Sequence, residues 1–168
     1  MTDNAKLSFY LRHRAQIEEW AALRTEANRE FDAALRAAID DAFSDMAISH
    51  ELRTDWRRTH LFLPVSAEYA RVGAGLSWLA TEGLEVGVVI AITALDGKKD
   101  ARRGHVQEVT TPLRLRHGMK PGDNEWIWKA LSLLPAGSED LDGFARARVA
   151  ETIAIAEELR QALLAPRG

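Results

Sequence analysis

The chain has 168 residues, 46% of them hydrophobic, with 22 Lys and Arg against 25 Asp and Glu and a formal net charge of -3. That size and apolar content supply one domain with a buried core and exclude disorder, while the near balance of charge provides no global field for nucleic acid or an anionic membrane. The absence of cysteine also excludes disulfides, thiolate metal sites and cysteine nucleophiles.

No proline occurs before Pro64 and no glycine before Gly73, and the first segment is rich in Ala, Leu, Arg and Glu. Such a stretch propagates a helix without a stop. Tyr10, His13, Ile17, Trp20, Ala27, Phe31, Leu35, Ala38, Ala42 and Met46 fall close to one stripe, widened by Leu23, Ile39 and Phe43. A helix over residues 5–47 would be roughly 63 Å long at about 1.5 Å per residue. A compact globule of this size is only about 40 Å across. The excess must kink, project or be covered by a second copy, and we expect a homodimer with Trp20, Phe31, Leu35 and Phe43 as candidate contacts.

After a polar join over residues 50–55 the texture turns to short β-like segments. THLFLPV (59–65) reads as a strand that Pro64 restricts to an edge or an early end. VGAGLSWLA (72–80) reads as a second, and the β-branched EVGVVIAITA (85–94) as a central strand, joined to it through Glu82-Gly83 as an antiparallel hairpin. A short helix is expected over 101–110, limited by Gly104 and Pro112; Leu113-Arg114-Leu115-Arg116 alternates as a strand would. Lys120-Pro121-Gly122-Asp123-Asn124 reads as a loop and residues 126–133 as a closing strand with Trp126 and Trp128 on one face. Ser138 or Asp140 should cap a final helix over 139–164, with Leu141, Phe144, Val149, Ile153, Ala156, Leu159 and Leu163 inward and Pro166 beyond its end. The prediction is a single α+β domain: a long helix over 1–48, a mostly antiparallel sheet of about four strands within 56–134, and a C-terminal helix over 139–164.

Chemistry-bearing patterns are sparse. Arg53, Trp56, Arg57 and Arg58 place an indole among cations, a combination that stacks bases and holds phosphates, and Arg114 and Arg116 extend the patch if the sheet gathers them. The same residues also fit a solvated strand entry. The five histidines show no metal-ligand spacing, and His13, near the apolar stripe, reads as a packing histidine. Gly73-Ala74-Gly75 lacks the third glycine of a dinucleotide loop and marks a close approach within a strand instead. No catalytic, metal or cofactor set emerges, and none is expected. The absence of a basic and apolar leader, and a longest apolar run of only residues 88–94, point to a cytoplasmic protein without membrane contact.

The opening LSFYLRHRAQIEEWAALR (7–24), with Trp126-Ile127-Trp128 and Leu141-Asp142-Gly143-Phe144, resembles small uncharacterised bacterial proteins, some labelled as similar to the PD-(D/E)XK nuclease superfamily. The resemblance implies a related fold and brings no catalytic residue, since no Glu/Asp-x-Lys follows on the strand that begins at Glu85. The leading functional expectation is a non-enzymatic interaction protein, a homodimer that contacts another protein through its long helix and an aromatic sheet face. A nucleic-acid-associated or degenerate nuclease-like module stands second, and an enzyme acting on a small ligand third.

Overall fold

The structure, a computed structural model, describes residues 3–44, 49–54, 58–67, 69, 72–79, 86–92, 102–121, 127–132 and 140–165. The long helix is continuous: α1 spans Asp3–Phe43, 41 residues. It is followed by β1 (Glu51–Thr54), β2 (Arg58–Pro64), β3 (Val72–Leu79), β4 (Val86–Ile92), α2 (Arg102–Arg116), β5 (Lys120–Pro121), β6 (Ile127–Ser132) and α3 (Leu141–Leu164). The strands form one sheet in the order β1-β2-β3-β4-β6-β5, with every pairing antiparallel. The α+β class therefore stands, with β3 and β4 at the centre as the β-branched stretch requires.

Pro64 closes β2. It lies opposite Gly73 of β3, whereas β1 reaches only as far as Phe62, opposite Glu51. Val65 sends its N–H to Val72 O at 2.9 Å, so by strand alternation the missing N–H of Pro64 falls on the flank that β1 leaves open. Gly73 is the predicted close approach: a Cβ there would collide with Leu63 O and sit 2.7 Å from the Phe62 ring.

Alternation also decides which side of the sheet is covered. Thr59, Leu61 and Leu63 of β2 stand opposite Trp78, Leu76 and Ala74 of β3, and all are buried. α1 and α3 pack on this face, with Phe31, Leu35 and Ile39 of α1 and Val149, Ile155 and Leu159 of α3 fully inside. Each such large aliphatic or aromatic side chain contributes about 1.5–3 kcal/mol by leaving water. The Phe31 and Phe144 rings meet at 6.0 Å between centroids, joining the two helices. The opposite face carries Glu51 and Arg53, exposed, and His60, Phe62 and Ser77, half-buried.

Four expectations shift. Residues 113–116 are the last turn of α2 rather than a strand, because Val106, Thr110 and Leu113 recur at helical spacing and are buried. The helix ends in a Schellman motif: Gly118 takes φ 60, Met119 N–H reaches Arg114 O at 2.8 Å and Gly118 N–H reaches Leu115 O at 3.2 Å. Two short strands, β1 in the polar join and β5 in the expected loop, extend the sheet to six. In α3 the buried line runs through Ala145, Val149, Thr152, Ile155, Leu159 and Leu163, leaving Leu141, Phe144, Ile153 and Ala156 half-buried at its margin. Asp140 occupies the N-cap position but makes no side-chain capping bond. The Glu82-Gly83 turn, Ser138, Met46 and Trp126 lie outside the described residues.

Gly73→Ala is expected to cost about 1–3 kcal/mol through enforced strand displacement, read as a lower urea midpoint. In contrast, Gly104→Ala, in α2 with nothing within 4 Å of its added methyl, should gain up to about 1 kcal/mol. A neutral Gly73→Ala would contradict the close packing of β2 on β3.

Candidate functional site

The chain's polar chemistry concentrates first where α1 crosses the edge of the sheet. Asp32 projects from α1 and accepts the indole N–H of buried Trp78, Nε1 to Oδ1 at 2.8 Å. Its other oxygen pairs with Arg36 Nε at 2.8 Å, one helical turn on. Arg36 Nη2 then donates to Thr54 Oγ1 of β1 at 3.0 Å and approaches Thr59 Oγ1 of β2 at 3.4 Å. Thr59 itself is fully buried and reaches Asp32 Oδ1 at 3.5 Å. One carboxylate and one guanidinium thus tie α1 to three consecutive strands. The arrangement satisfies buried donors and offers no free nucleophile or proton carrier, so its work is positional.

A concavity of about 410 Å³ lies between the end of β2 and α3, lined by Leu63, Val65, Ile153 and Ala156 with Glu157 and Arg160. Glu157 accepts from Arg160 Nε and Gln161 Nε2, each at 2.9 Å. The Gln161 hydrogen bond, followed by the Arg160 contact, holds the Glu157 carboxyl below its ordinary range. A carboxylate kept ionised in this way accepts hydrogen bonds and does not act as a general acid near neutrality. At the C-terminus of α2, Arg116 Nη1 bonds Glu158 Oε2 of α3 at 2.9 Å, and His117 Nε2 lies 3.3 Å from the same oxygen. Among the described residues no group of three or more His, Asp or Glu side chains converges to hold a metal ion, and no helix is long and apolar enough to cross a membrane.

The basic and aromatic candidates do not gather among the described residues. Arg53 is exposed on β1 and pairs with Glu51. Arg114, which donates to Thr111 Oγ1 at 2.8 Å, and Arg116 end the helix that leads into β5. β1 and β5 are opposite edges of the sheet, about 24 Å apart at about 4.8 Å per strand. On a helix, residues two apart also diverge, so Arg114 and Arg116 do not share the face a strand would give them. Arg58 begins β2, while Trp56 and Arg57 lie outside the described residues.

The candidate dimer contacts divide sharply. Phe31, Leu35 and Phe43 are buried in the chain's own core, and Phe43 also stacks on His50 at 4.4 Å. Trp20 is 59% exposed. Residues 5–26 of α1 are exposed throughout except for half-buried Ser8, Tyr10 and Ile17, and burial begins at Ala27 and Asn28. His13 is exposed too, so it is no packing histidine of the core; its ring meets that of Phe9 at a tilt of 37°, with centroids 4.5 Å apart. The exposed large apolar side chains here are Leu7, Phe9, Leu11, Trp20 and Leu23. What sequence reading missed is Asp32: a lone carboxylate on the wet margin of a helix carries no signal until its indole partner, 46 residues away, is in place. No family model, no curated protein and no solved structure matches the chain.

Asp32→Ala should destabilise the protein by about 1–3 kcal/mol by stranding the buried indole N–H of Trp78. A double-mutant cycle with Trp78→Phe should return about 1 kcal/mol of coupling, and strict additivity would refute the contact. Carboxyl NMR titration should find Glu157 below the ordinary glutamate pKa, with Gln161→Ala moving it upward; an unmoved value would contradict the assigned cause.

Proposed function

We propose that this chain is a non-enzymatic interaction protein that works through the projecting half of α1, self-associating there and presenting the assembled surface to another protein. The observation that carries this reading is the division of one uninterrupted helix. Its C-terminal half supplies Phe31, Leu35 and Ile39 to the core, while residues 5–26 hold Phe9, Trp20 and Leu23 in solvent. Phe9, Trp20 and Leu23 lie along one face of the helix, and large apolar side chains held in solvent on one face mark an interaction surface. Aromatic anchors such as Phe9 and Trp20 contribute most to such surfaces.

The described polar groups support the same reading, because the carboxylates of Asp32, Glu157 and Glu158 are each engaged by neighbouring donors. A nucleic-acid module draws less support: Arg53 and Arg116 each face a carboxylate and stand at separate edges.

Sedimentation over a range of concentrations should give a dimer. Trp20→Glu with Leu23→Glu should leave a monomer that still unfolds in one cooperative thermal transition, with a weaker helical circular dichroism signal than the dimer. A wild-type monomer at millimolar concentration would overturn the reading.

A further inference from the structure

Resting on that reading, we infer that the partner of the projecting segment is a second copy of the same helix, packed antiparallel in one register, with residue i of one copy facing residue 29 minus i of the other.

The seam comes from spacing. Lys6, Phe9, His13, Gln16, Trp20 and Leu23 recur at alternating intervals of three and four, the repeat that keeps one helix face against another. This line runs on into Ala27 and the buried face, yet residues 6, 9, 13, 16, 20 and 23 are themselves exposed. Leu7 and Leu11 lie on the far side of the helix and stay outside it.

Orientation follows from charge and size. A parallel pair would set Lys6 against Lys6, His13 against His13 and, one heptad beyond Leu23, Glu30 against Glu30. The antiparallel register instead sets Phe9 against Trp20 and His13 against Gln16, with the Lys6 stem along Leu23, each contact occurring twice. In antiparallel pairs like flanks meet. On one flank Arg12 then lies beside Glu19, an opposite-charge pair, and on the other Tyr10 lies beside Ile17, the two large half-buried residues of this segment, each flanking pair staggered by two residues from the level of the seam contacts. The Phe9 and His13 rings, in tilted contact with centroids 4.5 Å apart, lie side by side on this seam.

In this register residues 5–24 pair with one another, within the exposed stretch 5–26 and short of Ala27, where burial begins.

The chain contains no cysteine, so introduced thiols report without background. A mixture of Lys6→Cys and Leu23→Cys chains treated with a short bis-maleimide should yield the mixed dimer, and Lys6→Cys alone should yield none, its two thiols lying about 26 Å apart along the axis. In addition, Arg12→Glu should weaken dimerisation about 5–20-fold, and adding Glu19→Arg should restore it. Efficient Lys6→Cys self-linking, or a charge swap without rescue, would overturn the register while sedimentation still reports a Trp20-dependent dimer. A monomer by sedimentation would remove both the register and the reading beneath it.

Discussion

The bond between Asp32 and the Trp78 indole fixes how the rest of the molecule is disposed. It anchors the C-terminal part of a 41-residue helix to a buried position on β3, one of the two central strands, and Arg36 extends the anchor to Thr54 and Thr59 on the edge pair. Because the Trp78 indole is buried and its acceptor is a carboxylate, the alternatives there are a satisfied bond or a stranded polar group, which gives the docking a definite position as well as affinity. Phe31 and Leu35, one residue before and three after Asp32, are then held in the core, where the Phe31 ring meets Phe144 of α3.

What projects is a consequence of where that anchor sits. A helix without glycine or proline cannot turn back on itself, so once residues 27–43 are docked the remaining turns continue in a straight line away from the globule. Helix propensity alone makes a solitary surface helix marginal. Polar support within this segment is local: Tyr10 donates to Glu18 at 2.6 Å, Arg12 to Ser8 O at 3.2 Å and Thr25 to Ala21 O at 3.3 Å. Among the described residues no tertiary element covers Phe9 and Trp20, and self-association is proposed on the strength of that exposure.

The helices and strands were legible in the sequence wherever periodicity and punctuation agreed. α1 followed from the missing breakers, β2 from the run that Pro64 ends, β3 from its alternation of small and large residues, β4 from its β-branched run, and α3 from its apolar repeat. The failures have physical causes. Val106, Thr110 and Leu113 override Pro112 because burial outweighs one lost backbone bond. β1 and β5 are short, and exposed throughout, so their sequences carry no alternation to read. Phe31, Leu35 and Phe43 share a stripe with Trp20, and only the tertiary arrangement tells which of them the chain covers itself. The network at Asp32 was illegible for the same reason: it joins residues from α1, β1, β2 and β3 that no local pattern connects.

Amide hydrogen exchange, compared at low micromolar and at millimolar protein, tests the central claim most directly. The account predicts strong protection of residues 31–43 at both concentrations, and protection of residues 5–26 that rises with concentration. Exchange over residues 5–26 that is the same at both concentrations would contradict it.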